Sequence, residues 1–199
     1  MLLSNFTNDK IEAGCDEAGR GCLAGPVFAA SVILPKDYKN TKLNDSKILS
    51  EKQRNKLRIE IINDAIAWKV ALVDNIEIDK INILNASILA MQKAVAGLET
   101  VPELLLIDGN RFKSYKNIPH HCIIKGDGKY MSISAASILA KTFRDEYITE
   151  VHENYPEYNW KQNKGYATFD HIQAILEYGR CPLHRFTFHL KVEQLNIEF

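Results

Sequence analysis

Four consecutive apolar residues, Leu104-Leu105-Leu106-Ile107, run directly into an acid, Asp108. A strand that is apolar on both sides must be covered on both sides, which is the condition of strands in parallel sheets. The preceding residues supply a cover. Ile81, Leu84, Ile88, Met91, Val95 and Leu98 recur three and four apart and form one apolar stripe on a helix. A coiled-coil seam has the same spacing, but the repeat is short, and packing on a sheet is the better reading.

Other elements fit that frame. Glu12 to Asp16 reads as a short extended segment. After the Gly25-Pro26 turn, Val27 to Leu34 is a β-type run stopped by Pro35. Ser50 can cap a helix reaching about Asn63, with Glu51 in its first turn. Ile66, Trp68, Val70 and Leu72 alternate as a strand does, and His121 to Lys125 is a further strand candidate. Ile133, Ala136, Ala140, Phe143, Tyr147 and Val151 form a second helical stripe, and a short helix is expected near Phe169 to Glu177. The result is an α/β layered domain with a helical C-terminal appendage.

Composition narrows the function. At 46% hydrophobic and 25% charged residues, most of the chain should fold rather than stay disordered. No apolar run approaches the roughly 18 residues of a membrane helix, and the start lacks the pattern of a signal peptide. A cytoplasmic protein, monomeric by default, is expected. Formal net charge is zero, so any nucleic-acid contact needs clustered basic residues. Between Lys36 and Arg58 there are eight Lys or Arg against three acids; alone these read as a solvated helix face preceded by a loop, and they count as a basic patch only because carboxylate motifs accompany them. Cys15, Cys22, Cys122 and Cys181 form no C-x-x-C pair and read as buried free thiols. His120 and His121, as strand neighbours, point to opposite faces and suggest no metal site.

The acids are more informative. Asp16 and Glu17 close the first strand, Asp108 closes the apolar run, and Asp127 follows Ile123-Ile124-Lys125-Gly126. Any one of them could be a turn former or a cap. Four at element ends, accompanied by Gly19, Gly109, Gly126 and Gly128, point to a site. If the first and fourth strands are neighbours, Asp16 and Asp108 lie side by side and repel unless a cation sits between them. Magnesium and manganese favour such oxygen donors, and two ions can clamp the attacking and leaving oxygens of a phosphodiester.

These residues resemble the ribonuclease HII family. Asp16-Glu17-Ala18-Gly19-Arg20-Gly21 with Leu23 to Val27 is similar to its opening signature. Leu43 to Lys47, Ile107 to Asn110, Lys125 to Asp127 with Ser134 to Lys141 and Arg144-Asp145, Lys164 to Tyr166, and His184-Arg185 resemble the later motifs, in order from about Ala13 to Phe188. Cys22 stands where proline is usual, Ile48 where lysine is common, and Asn163 where histidine is usual. None of these departures removes an acid.

The resemblance implies a ribonuclease H-like mixed five-stranded sheet flanked by helices. Residues 1–155 would form the catalytic core, and 156–199 a small helical extension that contributes to substrate binding and ends in a tail. It implies a catalytic and metal-binding quartet, Asp16, Glu17, Asp108 and Asp127, holding Mn2+ or Mg2+ in a two-metal site. The substrates would be RNA–DNA hybrids and single ribonucleotides embedded in duplex DNA. Cleavage on the 5′ side of the ribonucleotide would leave 5′-phosphate and 3′-hydroxyl ends. Gly19, Arg20 and Gly21 would sense the 2′-hydroxyl, the group that separates RNA from DNA, and Tyr166 would stack on the next sugar. Lys47 and Arg185 are assigned to phosphate positioning. Ser46 is either a phosphate donor or a turn former. Lys141 and Arg144 read as a helix face paired with Asp145. Ribonuclease HIII, which usually has a lysine for the motif arginine and an extra N-terminal domain, is disfavoured by Arg20 and the short lead-in. A catalytically dead binder would have lost an acid. Finally, Gln194-Leu195-Asn196-Ile197-Glu198-Phe199 resembles the peptide that docks bacterial proteins on the sliding clamp, although for a chain end its alternating apolar residues suit packing on this chain itself better.

Overall fold

A computed structural model describes residues 2–190. Five strands, β1 (Glu12–Ala18), β2 (Val27–Ile33), β3 (Ala67–Val73), β4 (Leu104–Asp108) and β5 (His120–Ile123), form one sheet in the order β3-β2-β1-β4-β5. β1, β2 and β3 pair antiparallel, whereas β4 runs parallel to both β1 and β5, so the sheet is mixed. The helices are α1 (Glu51–Asp64), α2 (Asn75–Ala96), α3 (Met131–His152), α4 (Trp160–Asn163) and α5 (Phe169–Tyr178). Among the described residues no helix is long and apolar enough to cross a membrane.

The β4 run is covered on both sides, as its composition requires. Leu105 and Ile107 join the core under α2, while Leu104 and Leu106 pack with Ile133 of α3. Ile88, Met91 and Val95 of the α2 stripe are buried against Ala13, Val27, Ala29 and Ile107. On the opposite face Ala135, Ala136, Leu139 and Ala140 of α3 pack on Ala30 and Val32 together with Leu57 and Ile61 of α1. Small residues let α3 come close. A Cβ at Gly14 of β1 would sit 2.2 Å from the Ser132 main chain, so only glycine fits at that crossing.

Three features differ from the sequence reading. The α2 stripe is not one straight helix: Asn82 takes φ 64°, and its side chain caps the second segment by accepting from Asn85 N–H at 3.1 Å. With ψ 163° this is a backbone conformation that residues other than glycine rarely adopt, and neither Gly nor Pro marks the break in the sequence. The fifth strand begins at His120 rather than His121, and there His120 meets Phe112 while His121 meets Phe6. Cys15, Cys22 and Cys181 are buried thiols, but Cys122 is exposed, because β5 is an edge strand. After α3, Tyr158, Trp160, Ile172 and Ile175 form a separate apolar cluster with Leu23, Ala24 and Ile148. This cluster fastens the C-terminal helices against the loop that follows β1.

Candidate active site

β1 and β4 end side by side. Their register pairs Cys15 with Ile107, so the next residues along, Asp16 and Asp108, are neighbours at one sheet edge. Asp16 is buried beside Ser137 of α3 and walls one cleft with it, whereas Glu17 also borders a second cleft with Ser87 and Met91 of α2. The period of two along a strand separates them in this way. Asp127 arrives on a single 3-10 turn, Gly126–Gly128, which is entered through Lys125 at φ 56°. Gly126 N–H donates to Asp108 Oδ1 at 2.6 Å, tying that turn to the end of β4.

Asp16, Glu17 and Asp127 resist ionisation. Burial pushes Asp16 well above the usual carboxylate range, and the neighbouring Glu17 and Asp108 push it further. Burial also raises Glu17, opposed by Arg20, whose Nη1 lies 3.0 Å from Glu17 Oε1. Asp127 is raised by burial and then by Asp108 and Asp45. Among the described residues no three acid, imidazole or thiol side chains converge closely enough to hold a metal ion as they stand. The residues that could hold one are these carboxylates. They are hard oxygen donors without thiolate or imidazole, a set that suits Mg2+ or Mn2+, and a cation between them would relieve the mutual repulsion.

A cleft of about 240 Å³ opens beside the acids, walled by Asp16, Glu17, Asp108, the Gly19–Gly21 loop, Ser46, Lys47, Ser137, Lys141 and Tyr166. Asp127 and Arg185 are the two expected site residues that do not wall it. Lys47 is exposed, and its charge lowers both Glu17 and Asp127. Ser46 is buried, with its hydroxyl 2.9 Å from that of Ser137, so it is anchored to α3 as well as facing the cleft.

Arg185 is corrected most. It is 0% exposed, and its guanidinium donates to the carbonyls of Gly25 (2.9 Å), Arg20 (2.9 Å) and Gly19 (2.7 Å). Burial lowers its pKa to about 10, which leaves it a cation at neutral pH. With its donors engaged on the loop, it holds the Gly19–Gly21 segment rather than meeting a phosphate. The pairing of Lys141 with Asp145 is present at 2.8 Å, but Arg144 is 1% exposed and lies on no solvated face.

Tyr166 presents its ring to the cleft at 39% exposure, and burial of the rest raises its phenol to about 12. Its carbonyl is held from behind. Trp160 Nε1–H donates to His171 Nε2 at 2.9 Å, so the other nitrogen, Nδ1–H, donates to Tyr166 O at 2.8 Å. Cys181 N–H donates to His184 Nδ1 at 3.0 Å, which leaves His184 Nε2–H to point at His171 Nε2 at 3.2 Å. The bonds accepted at His171 Nε2 and His184 Nδ1 require neutral imidazoles, and burial lowers His171 and takes His184 down to about 4. A histidine whose folded pKa is depressed stabilises above its unfolded pKa, near 6.5, and loses that stability as pH falls towards the folded value. Stability should therefore drop by roughly 3 kcal/mol between pH 7 and pH 4 on account of His184 alone. Urea unfolding across that range tests this, and His184→Gln should flatten the slope. The raised acids contribute a slope of the opposite sign to both proteins, so it is an equal slope in wild type and His184→Gln that refutes the assignment.

Ser137, Trp160 and His171 were given no role from the sequence, and Arg144 was given only a helix face paired with Asp145. The signal available for two of them was the spacing Ser134, Ser137, Lys141, Arg144 on α3, which repeats three and four apart in polar residues. His171 and Trp160 carried no signal until the chain was folded.

The comparison with known families decides the matter: the ribonuclease HII family model matches residues 13–191. The chain belongs to the ribonuclease HII family. A ribonuclease HII of Bacteroides thetaiotaomicron is 61% identical over 200 residues, covering 100% of each chain. Ribonuclease H2 of Pyrococcus horikoshii superposes with a TM-score of 0.75 at 26% identity, over 92% of this chain and 95% of that one. A chain of the PCNA:RNase HII complex from Archaeoglobus fulgidus gives 0.71 at 24% identity, over 91% and 96%, and shares the fold. The mixed sheet flanked by helices is thus the ribonuclease H-like fold, and this ribonuclease HII is a nuclease acting on RNA–DNA hybrids.

Proposed function

We propose that this ribonuclease HII also cuts duplex DNA at single embedded ribonucleotides, on the 5′ side, leaving 5′-phosphate and 3′-hydroxyl ends for repair and replication. The observation that carries this is one cleft bordered at once by three acids, the Gly19–Gly21 loop and the Tyr166 ring. Asp16, Glu17, Asp108 and Asp127 would hold Mg2+ or Mn2+. When bound, a pair of such ions supplies activation of the attacking water and charge stabilisation at the leaving oxygen. The chain's own contribution is positional. The Gly19–Gly21 loop meets the 2′-hydroxyl side, where a Cβ on Gly21 would touch nothing within 4 Å and space remains for a sugar. Lys47 offers a phosphate contact, and the Tyr166 ring offers a flat surface for the next sugar.

A duplex with one ribonucleotide should be nicked in Mg2+ or Mn2+ and spared in chelator, and all-DNA should be spared in both. Tyr166→Ala should lose on the order of 1–3 kcal/mol on that substrate, about 5- to 150-fold in rate. A variant that keeps wild-type cleavage, or one that loses activity only because it melts, refutes the stacking role.

Clamp docking through Gln194-Leu195-Asn196-Ile197-Glu198-Phe199 is a second reading, on residues outside those described. It is favoured by the motif resemblance, beside the complex formed by the Archaeoglobus fulgidus protein. Truncation after Glu193 should abolish capture by a sliding clamp while melting temperature and clamp-free cleavage stay level. A marked fall in melting temperature would instead show the tail packing on its own chain.

A further inference from the structure

Helix α3 lays a line of polar side chains beneath the cleft. Ser134, Ser137, Lys141 and Arg144 share one helical face. Ser134 donates to the Asn44 carbonyl at 2.9 Å, Ser137 meets Ser46 at 2.9 Å, and Lys141 pairs with Asp145. Arg144 ends the line. At 1% exposed it is as buried as Ser134, but it differs in its donors: it approaches Asp145 only at 3.5 Å, and its Nε and Nη2 have no hydrogen-bond partner among the described residues. Burying a guanidinium with idle donors is costly unless its place in the fold requires it.

Its place is where the two recognition segments cross. A Cβ at Gly19 would lie 2.8 Å from Arg144 Nε, and one at Gly165 would lie 3.3 Å from Nη2. Both glycines have positive φ, 94° and 74°, so both main chains bend over this side chain as L-residues rarely do. Arg144 Cζ is 5.4 Å from the centre of the Tyr166 ring. The Arg144 side chain thus lies against both the loop before Tyr166 and the loop that begins at Gly19.

We propose that Arg144 is a positioning residue that sets the separation between the Gly19–Gly21 loop and Tyr166, and thereby the enzyme's preference for a ribonucleotide followed by a deoxynucleotide. This rests on the roles proposed above for those two segments. A guanidinium is a flat, rigid spacer, which neither the thin stem of lysine nor the flexible chain of methionine reproduces. The acids are held by β1, β4 and the 126–128 turn, so a change at Arg144 should alter which sugar pair is accepted more than hydrolysis in general.

The test uses Arg144→Lys, which keeps the cation, and Arg144→Met, which keeps the length. Each is assayed below its melting temperature, against wild type, on the single-ribonucleotide duplex and on an RNA–DNA hybrid. The ring signal of Tyr166 is followed by 13C-tyrosine NMR, assigned with Tyr166→Phe. The ratio of single-ribonucleotide to hybrid cleavage should fall about tenfold or more in both variants, the size expected when a stacking contact is misplaced, and the Tyr166 signal should move while distant tyrosines stay put. Equal losses on both substrates, or an unmoved Tyr166 signal, overturn the proposal. If wild type cuts the hybrid but not the single ribonucleotide, the proposed function fails and the NMR arm alone decides the spacer role. If Arg144→Met does not fold, Arg144→Lys carries the test; if neither folds, Arg144 is a core residue and the proposal is wrong.

Discussion

Asp16→Asn and Asp108→Asn should each lower cleavage of an RNA–DNA hybrid by roughly a thousandfold or more and leave a folded protein. An amide has nearly the same shape as the carboxylate, so the end of β1 keeps its packing. The amide oxygen can still accept from Glu17 N–H, which in the wild type donates to Asp16 Oδ1 at 2.7 Å. What is lost is charge. A carboxylate that holds a catalytic cation contributes several kcal/mol to the transition state, and each 1.36 kcal/mol is a factor of ten in rate. Stability should move the other way. Asp16 has a folded pKa raised above its unfolded value, by burial first and by Glu17 and Asp108 next. Its ionised form at neutral pH therefore costs stability, and removing the charge recovers it. In chelator both variants should melt above wild type. Near-normal cleavage by both, or melting well below wild type, would refute the role given to the acids.

The parts of the fold that were legible in the sequence are those with a period. The Leu104–Ile107 run and the stripes of α2 and α3 each declare which face is buried, and each is buried there. The adjacency of Asp16 and Asp108 could be stated only conditionally, because strand order is a property of the sheet. It became a fact with the β1–β4 pairing. The kink at Asn82 was hidden because a residue other than Gly or Pro makes it. Arg185 was misread for a related reason. A basic residue in a nucleic-acid enzyme suggests a phosphate, and nothing local reveals that main chain from residues 19 to 25 has folded over it. The same holds for His171 and His184, whose neutral, buried pairing depends on a segment brought back by α5.

Arg185→Met should therefore behave as a structural lesion with a catalytic consequence. Three carbonyl oxygens lose their donor at once. Hydrogen bonds to a charged group contribute about 1.5–3 kcal/mol each, and a buried carbonyl left without its donor costs about 1–3 kcal/mol. A loss of about 3–5 kcal/mol in urea unfolding is expected. Arg185→Lys, with one point charge in place of a fork, should recover less than half of it. Cleavage of both variants should fall even under conditions where they remain folded, because the Gly19–Gly21 loop is no longer fixed beside Glu17 and Asp108. Salt dependence separates this role from a phosphate contact. A lysine or arginine that neutralises a phosphate contributes about one unit to the slope of log affinity against log salt concentration. Hybrid binding by folded Arg185→Met should show the wild-type slope, whereas Lys47→Ala should show a shallower one. If Arg185→Met makes the slope shallower and leaves the unfolding midpoint untouched, Arg185 contacts the substrate backbone and the loop-holding role is wrong.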